Sequence, residues 1–426
     1  MLKVENVVCP FCGCLCDDVI VYVEDGAIKG VEKACSIGRS LFLKHREDLS
    51  LPSIDGRETS IDEAINEAVN ILRDKKHVLI YGLSSTSIEA QRKALELADL
   101  IGASIDQTTS ICHGPTSLAI HQTGIPTCTL GEVKNRADVV VFWGSNPLEA
   151  HQRHYERYSL IPKGMFVTEG RRGRKLVVVD VRPTPSSRAA DIFIQVRPGE
   201  DYEVLNALRY MLKGGKLDGE VGGVKVETLK SLLDIMLSAK YGVIFIGMGL
   251  TMTRGKYHNV EAALSLAIEL NSHTRWSVVA MRGHYNVSGA GMVLLWQTGF
   301  PMAVNFSLGY PRYSPGEYSA VDLLRRKEVD AVLVIASDPV ANFPREAVRN
   351  LLSLPIIAID PKRSLTTMVA KVVIPTAKVG IETEGTAYRM DGVPIRVKKI
   401  LNSIYPSDEE VLDRIIAKIK GEERNA

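Results

Sequence analysis

The chain has 426 residues, enough for two or three domains. Its 45% hydrophobic and 24% charged content is that of an ordinary globular protein, and a net charge of +2 supplies no basic field for nucleic acid. The longest apolar run, residues 242–252, is too short for a bilayer, and residues 1–8 carry no secretory signal, so a cytoplasmic protein without a membrane span is expected.

In chain order, the first feature is a group of cysteines. Cys9, Cys12 and Cys16, with Cys35 downstream, place three thiols in one tight loop and a fourth further off. Four thiolates so spaced suit a [4Fe–4S] cluster. A structural zinc site more often uses two Cys-x2-Cys knuckles, and only one is usable here; zinc and free thiols remain the other readings. Cys14 is read as the spare thiol. Short strands are expected at 4–8, 19–23 and 27–31, the last two joined by Glu24-Asp25-Gly26, which makes residues 1–50 a small cysteine-rich domain.

Apolar runs then alternate with helical patterns. Strands are expected at 77–83, 139–143, 176–181, 191–196, 243–248, 277–281, 331–336, 356–359 and 371–375. Helices are expected at 60–74, 87–101 and 201–212, the first opened by a Ser60/Glu63 capping box. Fully apolar strands with helical crossovers predict an α/β fold with parallel sheets covered on both faces.

The pattern also repeats. The run from Val139 to Trp143 followed by Gly144-Ser145-Asn146-Pro147 parallels Val332 to Ile335 followed by Ala336-Ser337-Asp338-Pro339. Asp180-Val181-Arg182 parallels Asp360-Pro361-Lys362. Such turns end strands at the carboxyl edge of a sheet, where open α/β folds bind ligands. Asp180 and Asp360 stand where an acid can hold a ribose or a base, although the same residues also serve as plain caps and turn formers. Two related halves are expected, one from 51–106 plus 281–380 and the other the inserted block 107–280, with 381–426 as a closing segment that returns to the ligand site. Gly247-Met248-Gly249 follows a strand, but the full G-x-G-x-x-G fingerprint is absent.

Two further segments carry chemistry. Cys112-His113-Gly114-Pro115 sets a thiol beside an imidazole near a helix start, which suits a metal ligand or nucleophile and equally a packed thiol. Arg282-Gly283-His284-Tyr285-Asn286 follows a strand and joins a fixed cation to a glycine-containing loop, which suits a cofactor phosphate and equally a solvated loop. Cys128 is read as core.

Together these pieces resemble the molybdopterin oxidoreductase family, which includes formate dehydrogenases and nitrate reductases. The resemblance rests on the cysteine group, Cys112, Gly144-Ser145-Asn146-Pro147, Arg197-Pro198-Gly199-Glu200-Asp201 and Glu382-Thr383-Glu384-Gly385-Thr386, in that order. It implies a small iron–sulfur domain followed by two interleaved Rossmann-like halves, without the C-terminal β-barrel of larger members. It implies one [4Fe–4S] cluster on Cys9, Cys12, Cys16 and Cys35. It also implies a tungsten or molybdenum ion held by Cys112, two pterin guanine dinucleotides and an inorganic sulfide. Cofactor contacts would come from Gly144, Asn146, Pro147, Asp180, Arg182, Gly199, Asp201, Gly247, Asn286, Ser337, Asp338, Asp360, Lys362, Glu382 and Thr386, with Cys112, His113 and Arg282 catalytic. The implied reaction is the reversible two-electron reduction of CO2 to formate, which a metallohydrolase subunit then condenses with a carrier. A pterin-covering β-barrel subunit and ferredoxin-like iron–sulfur subunits complete the implied partners. The rival readings are a short formate dehydrogenase subunit with another electron partner and a redox-silent subunit of a formyltransferase/hydrolase complex. Formate dehydrogenases often carry a lysine two residues after the fourth cluster cysteine; here Ile37 stands there, leaving Arg39 or Lys44 as substitutes.

Overall fold

The computed structural model describes residues 1–421. The chain divides into two compact units. Unit 1 comprises Met1–Ile111, His284–Arg389 and the chain from Pro394; unit 2 comprises Cys112–Gly283 with Met390–Val393.

Unit 1 is built on a nine-stranded sheet. Its centre is parallel, in the order Ser104–Gln107, Val78–Gly82, Ala331–Ile335, Ile356–Ile359 and Val372–Ile374. Short antiparallel strands close both edges. The central strands are apolar throughout because both faces are covered, and the period of two sorts them. Ile80, Leu333, Ile335 and Ile357 face the helices Ile61–Asp74, Ile88–Leu100, Val287–Thr298 and Asp408–Lys420. Leu79, Tyr81, Val332, Val334 and Ala358 face Ala320–Arg326 and Arg345–Leu351. Ser60 caps its helix as expected: its Oγ accepts from Glu63 N at 3.1 Å while the Glu63 carboxylate accepts from Ser60 N at 3.1 Å.

The same unit holds a three-stranded antiparallel sheet, Leu2–Val7, Val19–Glu24 and Ala27–Glu32, followed by the helix Ser36–Leu43. Within the closing segment, a hairpin of Gly385–Tyr388 and Pro394–Val397 precedes the helix Asp408–Lys420. That helix packs Val411, Leu412, Ile415 and Ile416 into the core beside Ile61–Asp74 and Ile88–Leu100.

Unit 2 is a five-stranded parallel sheet in the order Ile192–Gln195, Lys175–Asp180, Val139–Trp143, Tyr241–Ile246 and Arg275–Ala280. One face packs on Asp201–Leu212, Val226–Ser238 and Tyr257–Leu270. The other stacks Phe142 on Phe245, centroids 4.8 Å apart, with the His154 ring edge-on to Phe245 at 4.7 Å.

The two parallel sheets share one plan. Each has a central pair from which one connection runs outward to a single strand and the other to two. Val139–Trp143 therefore corresponds to Ala331–Ile335, and Tyr241–Ile246 to Val78–Gly82. The expected seams at 107 and 280 lie at 111/112 and 283/284. The reason is local: Gln107 is paired to Gly82 inside the unit 1 sheet, and Met281 N donates to Ile246 O in unit 2.

Candidate functional site

The repeated turns sit where each sheet's connections diverge, the position at which open α/β sheets form a ligand crevice. In unit 2, Gly144 takes φ +58° and its N–H donates to Val179 O at 2.9 Å. In unit 1 the equivalent Ala336 takes φ +47° and donates to Ile359 O at 2.9 Å. Pro147 and Pro339 then open short helices.

Each turn is tied to the next strand's loop by the same bracket. Ser186 Oγ donates to Asn146 Oδ1 at 2.6 Å and accepts from Leu148 N at 3.1 Å. Thr366 Oγ1 donates to Asp338 Oδ1 at 2.7 Å and accepts from Val340 N at 3.2 Å. Asp338 also accepts from Thr366 N, Leu365 N and Ala341 N, so its carboxylate is occupied as a turn-former. Ser186 and Thr366 escaped the sequence reading; their signal was the paired runs Thr-Pro-Ser-Ser and Ser-Leu-Thr-Thr, each of which caps a short helix.

Asp180 and Asp360 both end their strands partly exposed, with Arg182 exposed and Lys362 half-buried two residues on. Asp180 Oδ1 accepts from Val181 N at 2.7 Å, and Asp360 Oδ1 from Lys362 N at 2.8 Å. Burial, reinforced by Asp408 and Asp338, pushes the Asp360 carboxyl up to about 7 against those bonds. Gly247 is buried against the Gly144 turn, where a Cβ would stand 2.2 Å from Gly144 O. Ser337 lies partly buried in the unit 1 turn.

Other expected contacts are committed to the protein itself. Asn286 is fully buried; its amide donates to Thr86 O at 2.7 Å and its Oδ1 accepts from Tyr388 N at 2.8 Å. Thr386 is held by Glu89 through both its N–H and its hydroxyl, at 3.0 and 2.7 Å. These two residues join the hairpin to its neighbours. Glu382 accepts from Lys378 N at 3.0 Å. Asp201 accepts from the Trp143 indole at 2.8 Å and leaves its other oxygen buried without a partner. Gly199 takes φ +84° beside Arg254.

Unit 2 gathers the reactive residues. Cys112 is partly exposed at the turn into Gly114–Thr123, and its carbonyl accepts from Thr251 Oγ1 at 2.7 Å. Burial raises the Cys112 thiol, and the charge of Arg282 opposes that rise. Burial in turn lowers the Arg282 guanidinium, and the Cys112 charge offsets part of that fall. Each therefore favours the charged form of the other.

Behind them lie two imidazoles. His113 is buried, with Nε2 3.2 Å from Met281 O and Nδ1 3.1 Å from Thr116 Oγ1. A carbonyl can only accept, so Nε2 carries the proton and Nδ1 accepts from the hydroxyl. Burial, then Arg282, pushes His113 down to about 3, so the ring stays neutral with both nitrogens engaged. His151, which the sequence reading passed over, reaches Arg282 O with Nε2 at 2.9 Å.

In unit 1 the cysteines converge. A Cβ on Gly38 would stand 3.3 Å from Cys9 Sγ and 3.5 Å from Cys35 Sγ. Burial, and then charge on Cys12, Cys16 and Cys35, push the Cys9 thiol up. Cys9 N donates to Cys16 O at 2.9 Å and closes the loop. Cys14 is fully buried and hydrogen-bonds Cys12, which lowers the Cys12 thiol. Among the described residues, no three His, Cys, Asp or Glu side chains are grouped closely enough to hold a single metal ion. Arg39 and Lys44 are both exposed, and Lys44 pairs with Glu47 at 3.2 Å. Among the described residues, the buried cation of this unit is Lys378, which donates to His45 O and is held down to about 8 by burial. No helix of the described residues is long and apolar enough to cross a membrane.

Residues 60–408 match the family model for molybdopterin oxidoreductases. The chain belongs to that family and is an oxidoreductase. It is 47% identical to one of the subunits of the tungsten-containing formylmethanofuran dehydrogenase 2 of Methanocaldococcus jannaschii, over 99% of each chain. It is 42% identical to the same-named component of the Methanococcus maripaludis enzyme, over 97% of this chain and 98% of that one. In fold it is similar to a chain of the formyltransferase/hydrolase complex of Methylorubrum extorquens solved with methylofuran. That match has a TM-score of 0.71 and 24% identity, covering 87% of this chain and 99% of the other.

Proposed function

We propose that the chain is the redox subunit of a tungsten-dependent formylmethanofuran dehydrogenase, interconverting CO2 and formate before another subunit condenses formate with methanofuran. The observation that carries the chemistry is the Cys112–Arg282 pair, a partly exposed thiol and a guanidinium each stabilising the other's charge. The donor set fits the family's cofactor: a thiol to ligate the metal, and two equivalent crevices, ending in Asp180 and Asp360, for two dinucleotides. Bound there, a tungsten bis-pterin would supply the two-electron acceptor.

The remaining work falls to the chain's own residues. Arg282 offers a planar fork matched to a carboxylate and stabilises charge on the formate oxygens as the C–H bond breaks. Cys112 would hold the metal as thiolate. His113, neutral and doubly hydrogen-bonded, fixes the backbone at Met281. Cys9, Cys12, Cys16 and Cys35 would carry one [4Fe–4S] cluster as the electron entry, with Cys14 outside the ligand set. Partner subunits would be a metallohydrolase, a pterin-covering β-barrel and ferredoxin-like iron–sulfur proteins, in the cytoplasm.

The redox-silent alternative is disfavoured because the four cluster cysteines and Cys112 are all present. The test is elemental and spectroscopic analysis of the purified native complex with formate-dependent dye reduction. Tungsten, one [4Fe–4S] signal and dye reduction are expected, the cluster surviving Cys14→Ala and vanishing on Cys16→Ala. Zinc without iron would overturn the reading.

A further inference from the structure

The Arg282 backbone is gripped from two sides. His113 Nε2 lies 3.2 Å from Met281 O, and His151 Nε2 lies 2.9 Å from the next carbonyl, Arg282 O. His151 is 4% exposed, and its Nδ1 is buried with no hydrogen-bond partner. Since a carbonyl can only accept, Nε2 carries the proton committed to Arg282 O, and burial favours the neutral ring. The ring is placed by the repeated turn: His151 N donates to Pro147 O at 2.8 Å, and His151 O accepts from His154 N at 2.7 Å. His151 thus links the Gly144–Pro147 turn, at one expected cofactor crevice, to the residue facing Cys112.

We propose that His151 is a positioning residue that aims Arg282 by holding its backbone carbonyl, coupling the turn at one crevice to the carboxylate-binding cation. The proposal rests on the role given to Arg282 above. Only the Nε2–H is needed, so glutamine, whose amide can place an N–H at the same reach, suffices, whereas leucine fills the space without a donor. Small displacements of a positioned group cost up to about a hundredfold.

The test uses the purified complex carrying His151→Leu, His151→Gln or Arg282→Ala, each first checked for parental tungsten, GMP and iron content. Formate affinity is read without turnover, from the shift that formate causes in the tungsten signal of frozen enzyme, and KM and kcat are measured beside it. His151→Leu is expected to weaken formate binding by roughly tenfold to a hundredfold. Its KM should rise more than its kcat falls, while His151→Gln stays within about threefold of the parent because its donor is retained. Parental formate binding by His151→Leu while Arg282→Ala loses it would overturn the role of His151 and leave that of Arg282 intact. Equal loss in the leucine and glutamine variants would overturn it too, because the imidazole itself would then be needed. Parental formate binding by Arg282→Ala would instead overturn the reading of Arg282 on which the proposal rests.

Discussion

At the carboxyl ends of their strands the two sheets use one bracket with different chemistry. Unit 2 brackets its turn with a neutral pair, Asn146 and Ser186; unit 1 uses a carboxylate and a hydroxyl, Asp338 and Thr366. Counted from the paired strand ends, the position of Arg282 in unit 2 is that of Thr109 in unit 1, and Val279 corresponds to Asp106. On the proposed reading, the repeat sets where ligands are received, and departures from it set where reactivity lies. The thiol, the guanidinium and both pinning imidazoles belong to unit 2 alone.

The sharpest break of that asymmetry is Cys112→Ala. It should abolish formate-dependent dye reduction and lower tungsten content while leaving the cysteine-group cluster signal of unit 1 at parental intensity. Next comes Arg282→Lys, which keeps the charge and loses the fork. Turnover should drop by about 10²–10³ with tungsten, GMP and iron retained; near-parental turnover would return unit 2 to the status of a plain repeat.

The turns themselves supply a third contrast, read by thermal or denaturant unfolding. Gly144→Ala puts a Cβ on a residue at φ +58°, 2.8 Å from Leu250 N. The conformation alone costs about 1–2 kcal/mol, and the contact adds to it. Ala336→Gly, at the matching φ of +47°, relieves that conformation and should change stability by less than about 1 kcal/mol.

The smallest effect concerns Asp106, buried where unit 2 has a valine. Its carboxylate accepts from Gln107 N, Ala303 N and Ala320 N at 2.9, 3.1 and 2.8 Å, yet burial pushes it up to about 6. The folded value lies above the unfolded one of about 3.9. Its contribution is therefore fully present below pH ~4 and fades as pH rises to ~6. Asp106→Asn should flatten that part of the pH–stability curve and cost about 1–3 kcal/mol, because an N–H then faces a backbone N–H. An unchanged curve would mean that Asp106 ionises as freely as an exposed acid.

The plan of both sheets was legible because apolar strands, capping residues and the Gly/Ala-Ser-Asn/Asp-Pro turns are local signals. The cysteine group, Cys112 and Arg282 stand out as local motifs in the same way, and the role of each belongs to the proposed function. The partners of Asn286 and Thr386 were not legible, because a polar residue in a loop shows its chemistry and not its partners; Tyr388 and Glu89, which bond to them, lie about a hundred residues or more away in sequence. His151 was invisible for the converse reason, since its partner Arg282 is 131 residues off.

On the proposed reading, two equivalent halves each receive one dinucleotide, and unit 2 carries the reactive pair. The direct measurement is GMP released per chain on acid hydrolysis of the purified complex, counted against tungsten. Two GMP and one tungsten per chain are predicted. One GMP per chain would make one crevice a relic and contradict the equivalence of the halves, and none would contradict the cofactor itself.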